Sequence, residues 1–455
     1  MMKTVKVKTI FCLGLAATWA VASPPPNYIL IMADDMGYAG LSCYGNEYGI
    51  KTPNLDRMAA AGVRFTDFHS NGVVCSPTRA ALLTGRYQQR TGISRVVQAK
   101  NDRNKGLALE EFTLAEMLKS GGYHTAIFGK WHEGYSTMFN PVRQGFDEFV
   151  GFVSGNVDCQ SHLDVAMQED WWKQDQLHPE EGYQTTLIGN HALDFIERNK
   201  QSPFFVYVAF GAPHAPIQGP NDPAVRGEGA VSQHDIDMAR AYREMIESLD
   251  REVGRICSRL EELGLAKNTF IFFCSDNGAA KKWSGSSSLK GRKGMMSEGG
   301  HRVPAIAYWP GTIPPAVTDQ TAMTVDLYAT YAALSGISVP KQVKLDGVDL
   351  LPLLKTGKAL PERTFFWSMA NAHAVRRGSW KYVQEKKGTA TLYNLATDLG
   401  ETNDLSKKNP EMFQQLETAF DKWIAEVNAN PTGPQVDPDV SALPPQKKKK
   451  KGKNK

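Results

Sequence analysis

Along this chain, short and continuously apolar runs alternate with stretches whose apolar positions recur every three to four residues. Tyr28–Ala33 (YILIMA) is such a run, the pattern of a strand buried on both faces of a parallel sheet. Leu55–Ala61 then reads as a helix and Val63–Phe68 as a strand. Thr113–Ser120 reads as a helix closed by Gly121-Gly122, with the next strand at Thr125–Phe128. The alternation continues through a helix at Thr185–Asn199, a strand at Phe204–Ala209, a long helix at Asp235–Leu263 and a strand at Thr269–Cys274. This order predicts an α/β fold, a mostly parallel central sheet covered by helices. After Leu350 the pattern changes to closely spaced strands at Thr364–Ser368, Ala372–Arg376, Trp380–Gln384 and Thr391–Leu395, then a helix at Glu411–Val427. A small C-terminal α+β unit with an antiparallel sheet is expected there. There is no internal repeat. The predicted organisation is a catalytic domain over 23–350, the C-terminal subdomain over 351–430, and a disordered Pro- and Lys-rich tail over 431–455.

The ends of the chain modify this picture. Lys3, Lys6 and Lys8 precede an apolar run from Ile10 to Val21, and Ala20-Val21-Ala22 supplies small residues at a cleavage site. Residues 1–22 therefore read as a signal peptide, and the protein as secreted or periplasmic. No later stretch approaches the ~18 apolar residues of a membrane span, so no transmembrane segment is expected. The 455 residues, 42% hydrophobic and 22% charged, are ordinary for a globular enzyme. The formal net charge of +4 is due to the terminal KKKKKGKNK, without which the remainder is slightly acidic. No nucleic-acid-binding surface is therefore implied. The tail itself reads as solvated, with adhesion to acidic polysaccharide as the alternative. Five cysteines remain after export (Cys43, Cys75, Cys159, Cys257 and Cys274), too few and scattered for a disulfide framework. Cys274, in an apolar strand, reads as a buried thiol.

Candidate chemistry lies where two apolar strands end. One runs into Asp34-Asp35 and the other into Ser275-Asp276-Asn277-Gly278. In open α/β sheets, ligands sit outside the carboxyl ends of the strands. Three carboxylates and an amide oxygen converging there need a cation to offset their repulsion, and an all-oxygen set favours calcium or magnesium over zinc. The alternative for each Asp singly is a cap on the turn that follows.

Cys75-Ser76-Pro77-Thr78-Arg79, followed by Leu83-Thr84-Gly85-Arg86, resembles the signature of the type I, formylglycine-dependent sulfatases of the alkaline-phosphatase-like superfamily. The resemblance implies that a formylglycine-generating enzyme acts on Cys75, with C-x-P-x-R as the recognised core. Thr78 departs mildly from the Ser more usual there. Phe128-Gly129-Lys130-Trp131-His132 is similar to the family's G-K-W-H segment, with Lys130 on the sulfate and His132 beside residue 75; Glu133 stands where an apolar residue is usual. Ala212-Pro213-His214-Ala215-Pro216 matches the segment carrying a sulfate-binding histidine, and Leu289–Pro304 places Lys293 as the second sulfate-contacting lysine. Asp34, Asp35, Asp276, Asn277 and residue 75 are then the implied shell of one calcium ion. Thr52–Asp56 and Leu392–Leu405 also follow the family pattern, so the resemblance covers most of the mature chain. It implies a large alkaline-phosphatase-like domain.

The implied chemistry is coherent. A sulfate monoester departs only if charge on its oxygens is neutralised, the task of Lys130, Lys293, Arg79 and the cation. A hydrated aldehyde at residue 75 offers one hydroxyl to attack sulfur and a second whose deprotonation expels sulfate, which a serine lacks. The resemblance gives His214, with Lys293, the leaving-group proton and His132 the elimination step. Two alternatives stand beside it. A phosphatase or phosphodiesterase of the superfamily would use Ser or Thr and usually two His-bound zinc ions. A non-catalytic glycan-binding protein would lack turnover. The pattern is similar to bacterial galactosamine-6-sulfatase-like and algal-galactan sulfatases, implying sulfated carbohydrate as substrate. Asp158–His178 matches no motif and is rich in His and Trp, which makes it the expected substrate rim, with His162 and Trp172 as contacts.

Overall fold

The computed structural model describes residues 24–46, 48–281 and 289–443. The signal-peptide segment 1–22 and the lysine tail lie outside the described residues. A ten-stranded sheet forms the centre. Five neighbouring strands within it are parallel, in the spatial order Thr269–Ser275, Asn27–Ala33, Phe204–Ala209, His124–Lys130 and Glu148–Phe152. Ala305–Tyr308, running antiparallel, extends one side, followed by Val63–Phe65 and, at that edge, Ala316–Thr318, which both run in the direction of the five. Trp172–Lys173 and Gln176–Leu177 extend the other.

The apolar runs are continuous because successive side chains feed two different cores. Tyr28, Leu30 and Met32 pack on one face, with residues of the helices Leu114–Ser120 and Asp326–Ser335. Ile29, Ile31 and Ala33 pack on the other, with the helices Pro53–Ala61, Gln184–Arg198 and Met238–Glu262. Each such buried aliphatic side chain stabilises the sheet by about 1.5–3 kcal/mol. Local signals set the helix ends. Thr113 and Glu116 form a reciprocal capping box at Leu114–Ser120. The long helix starts at Met238 rather than Asp235 because the Asp237 carboxylate accepts from the backbone N–H of Ala239 and Arg240.

The C-terminal sheet is antiparallel throughout, over Thr364–Met369, Ala372–Arg377, Trp380–Gln384 and Thr391–Asn394. Helix Pro410–Val427 packs Leu416, Phe420 and Trp423 in its core. The expectation of disorder from residue 431 is corrected for 431–443. The Thr432 N–H donates to the Arg90 carbonyl at 2.9 Å, and Gln435–Val436 pairs antiparallel with Lys105–Gly106. This order comes from backbone hydrogen bonds to a distant segment, which no local apolar pattern announces. No helix among the described residues is long and apolar enough to cross a membrane.

Candidate active site

Register builds the site. Ala33 lies opposite Ser275, so Asp34-Asp35 and Asp276-Asn277 leave the sheet side by side. The Asp35 N–H donates to Asp276 Oδ1 at 3.1 Å, with Asp35 itself left-handed at φ 65°. Two strands away, His124–Lys130 ends at Lys130, whose Nζ donates to Asp34 Oδ2 at 2.6 Å. Cys75 opens helix Cys75–Thr84, where the helix dipole favours negative charge. Lys293 arrives on a segment held by its own N–H to the Ala279 carbonyl and by the Gly294 N–H to the Val73 carbonyl. Gly278 permits that approach, because a Cβ there would stand 1.9 Å from the Gly299 carbonyl oxygen.

These elements converge on Cys75. Its Sγ lies 3.4 Å from Asp34 Oδ1 and 3.3 Å from Lys293 Nζ. Lys293 Nζ also donates to Asp35 Oδ1 at 2.6 Å, and Asn277 Nδ2 to the same oxygen at 2.7 Å. His214 Nε2 stands 3.6 Å from Asp35 Oδ2, and its Nδ1 lies 2.7 Å from the Ala215 carbonyl, which fixes the proton on Nδ1 in the neutral ring. Cys75, His132, His214 and Lys293 line a cavity of about 300 Å³. Arg79 does not reach it. The guanidinium is fully buried, donates through Nε and Nη2 to Asp276 Oδ2 at 3.1 and 2.9 Å, and through Nη1 to the Lys130 carbonyl. It aims a carboxylate rather than meeting a substrate oxygen.

Burial, together with the neighbouring Asp276 and Cys75, pushes the Asp34 carboxyl well above the usual carboxylate range. Burial acts on Asp35 in the same sense, but the Lys293 and His214 charges outweigh it and hold that carboxyl low. Asp276 is likewise held low against its burial, chiefly by Arg79. His132 is driven well below the imidazole range, by burial and then by Lys130 and Arg79.

The donor set fits a hard cation. Ligand atoms of Asp34, Asp35, Cys75 and His214 lie within 4.8 Å of one another. Asn277 Oδ1 is buried with no hydrogen-bond partner, an oxygen whose desolvation is otherwise uncompensated. Asp34 and Asp35 each keep one oxygen that no lysine pairs. Asp34, Asp35 and Asn277 thus present oxygens to an ion beside residue 75, whereas Asp276 Oδ1 already accepts from the Asp35 N–H and Oδ2 from Arg79.

The expected rim residues lie elsewhere. His162 is buried and stacks on Trp171 at 4.3 Å between ring centroids. Trp172 donates its indole N–H to Asp170 Oδ1 at 2.7 Å and packs against the core. Neither lines the cavity, because these aromatic rings turn inward to give their loop an apolar centre. From Asp158–His178 only Val165 lines it. The wall is formed mainly by Val96–Asn101, with Tyr135, Gly155 and Asn156. That wall carries no motif, and its one sequence-level link is Ser76, inside the cysteine motif, whose Oγ accepts from the Val97 N–H at 3.1 Å.

Comparison with known proteins agrees with this geometry. The family model described as Sulfatase matches residues 26–337. N-acetylgalactosamine-6-sulfatase of Rattus norvegicus is 37% identical over 397 residues, covering 81% of this chain and 73% of the relative. Arylsulfatase A of Homo sapiens is 34% identical over 471 residues, covering 89% and 88%. The solved structure of Ps i-CgsB in complex with k-i-k-neocarrahexaose superposes with a TM-score of 0.81 at 28% identity, covering 90% of this chain and 94% of that one. The chain belongs to the sulfatase family and is a sulfuric ester hydrolase.

Proposed function

We propose that this exported enzyme hydrolyses sulfate monoesters on galactose- or galactosamine-type carbohydrate, with Cys75 matured to Cα-formylglycine and one calcium ion held by Asp34, Asp35, Asp276, Asn277 and residue 75. The observation that carries this reading is Cys75 Sγ set between Lys293 Nζ and Asp34 Oδ1 at the edge of a cavity. The likeness to N-acetylgalactosamine-6-sulfatases, and to a structure holding a carrageenan oligosaccharide, supports the substrate class. Every residue of Cys75–Arg79 is buried in the folded chain, which supports modification of Cys75 before folding is complete.

Calcium, when bound, supplies Lewis-acid charge to the reacting oxygens. A hydrated aldehyde at residue 75 supplies two hydroxyls on one carbon. The protein's own groups do the rest. Lys293 neutralises sulfate oxygens at the cavity, and Lys130, fully buried outside the lining and paired with Asp34, adds its positive charge from behind. His214, whose Nδ1 is engaged by the Ala215 carbonyl, offers Nε2 for the leaving-group proton. His132 Nε2 lies 3.1 Å from the Val97 carbonyl, which fixes its proton there and leaves Nδ1, buried and without a partner, as the base. Arg79 keeps Asp276 ionised and aimed.

Paired sulfate and phosphate esters of one alcohol, assayed on protein of measured metal content, test the reading. Sulfate turnover with about one calcium per chain is expected. Phosphate turnover with two zinc ions, or no turnover of either ester by folded and matured protein, would overturn it.

A further inference from the structure

The wall of the cavity differs from its floor in one respect. On the floor, the Lys293 ammonium is already paired with Asp35 at 2.6 Å. On the wall, Lys100 is exposed and has no ion-pair partner among the described residues. The described lining residues are Lys100, Lys293, two histidines, Cys75, Tyr135, amides and small or apolar residues, with no Asp or Glu. A free ammonium in a lining without carboxylates leaves the mouth of the cavity positive.

The wall is also rigid. Arg95 donates to both Asp102 oxygens at 2.7 and 2.9 Å, and Asp102 Oδ2 accepts from the Gln98 N–H at 3.2 Å. The Val97 N–H donates to Ser76 Oγ, next to the reactive residue, and the Val97 carbonyl meets His132. The height of Lys100 above the sulfur centre is therefore set by the same helix that carries Cys75. Gln98 and Asn101 flank it, their amides joined at 2.7 Å. A cavity of about 300 Å³ lies at the small end of small-molecule sites, with room for one sugar ring and its substituents.

We propose that Lys100 forms a second anion subsite, so that the preferred substrate is a sugar whose scissile sulfate has an anionic neighbour, either a second sulfate on the ring or the carboxylate of an adjoining uronic acid. This rests on the sulfated-carbohydrate reading above. A neutral hydroxyl would replace the water lost by the ammonium poorly, whereas a sulfate or carboxylate gives a charge-assisted hydrogen bond. Because the backbone of the wall is fixed, the ordering needed when that bond forms is confined to the Lys100 side chain.

The test compares kcat/KM for three probes: N-acetylgalactosamine carrying one sulfate, the same sugar carrying two, and the singly sulfated sugar linked to a uronic acid. Wild-type enzyme should prefer at least one of the dianionic probes. In Lys100→Ala the ratio of that probe to the singly sulfated sugar should fall about tenfold, and in Lys100→Arg it should largely return. Whether the ratio falls for the second sulfate or for the uronate identifies the anion. An unchanged ratio in Lys100→Ala for both dianionic probes would overturn the subsite while leaving the sulfatase reading intact. Failure of folded, matured wild type to hydrolyse any of the three would instead bring down the sulfated-sugar reading, and this proposal with it.

Discussion

Two buried charge clusters in this molecule look alike as lists of residues and differ in what their atoms are free to do. The first joins Asp34, Asp35 and Asp276 to Lys130, Lys293 and Arg79. The second joins Asp67, Glu298 and Glu401 to Arg302, Arg376 and Lys381, around His69 and His301. Each balances three acids against three cations, and each contains a group spaced to hold a metal ion.

In the second cluster every ring nitrogen is engaged. Lys381 Nζ meets His301 Nε2 at 3.1 Å, the two Nδ1 atoms meet at 2.9 Å, and His69 Nε2 meets Asp67 Oδ1 at 2.9 Å. His301 Nε2 also lies 3.0 Å from the Met296 carbonyl, and His69 Nε2 3.1 Å from Arg376 Nη1. Whichever way the single Nδ1–Nδ1 proton points, both rings are neutral and every ring lone pair already faces a donor, leaving none for a metal. In the first, Asn277 Oδ1 has no donor and a cavity opens beside Cys75. The lesson is that spacing alone does not make a metal centre; unspent ligand atoms do. The closed cluster acts as a clamp. Lys381 and Glu401 belong to the C-terminal part of the chain, and they grip Glu298, five residues beyond Lys293. Lys290, on the same segment, donates to the Tyr393 hydroxyl and the Glu401 carbonyl.

The contrast breaks most visibly at the open cluster. Cys75→Ala should leave no measurable turnover of any sulfate ester while keeping the wild-type Tm within a few degrees, since it removes one atom and no core contact. Asp276→Ala should come next. It leaves the fully buried Arg79 without its carboxylate, so metal content and activity should fall together, by about a thousandfold in kcat. Prolonged chelation of the wild type should reproduce that loss, with calcium restoring activity better than zinc. Retained turnover in metal-free protein would erase the distinction between the clusters.

At the closed cluster the effect should appear in stability. Lys381→Met leaves Glu401 without its cation and Glu298 with Arg302 alone, and should cost about 3–5 kcal/mol, read as a lower midpoint in denaturant, with no change in metal content. A smaller effect should follow pH. Burial holds His69 and His301 below the ordinary imidazole value, whereas the unfolded chain titrates near about 6.5. The unfolded state therefore binds more protons in acid, and stability present above about 6.5 is lost as pH falls. Tm should decline from about pH 6.5 toward 5. Asp67, held low against its burial by His69 and then by Arg302 and Arg376, and Glu298, held low against its burial chiefly by Lys381, contribute their loss only in stronger acid, below about pH 4. A Tm flat between pH 7 and 5 would contradict the neutral-histidine assignment.

The sequence announced the open cluster far better than the closed one. Strand-end acids and the Cys75 and Lys130 segments follow directly from apolar runs and contiguous motifs, and register then brings them together. The Phe204–Ala209 strand was legible to its ends because six buried residues run without a break. By contrast, Glu148–Phe152 and Ala305–Tyr308 are only five and four residues long, too short for an apolar run to mark them as strands. The clamp unites residues from 67 to 401, none in a local pattern. The rim fared worst for the same reason: His162 and Trp172 look like sugar contacts in sequence, but stacking on Trp171 and a bond to Asp170 turn them to internal packing.

The most direct test of the account is the mass of the tryptic peptide containing residue 75, taken from a preparation whose specific activity has been measured. Formylglycine at residue 75, in a fraction that tracks activity across preparations, is the predicted result. An unmodified Cys75 thiol throughout a fully active preparation would contradict it.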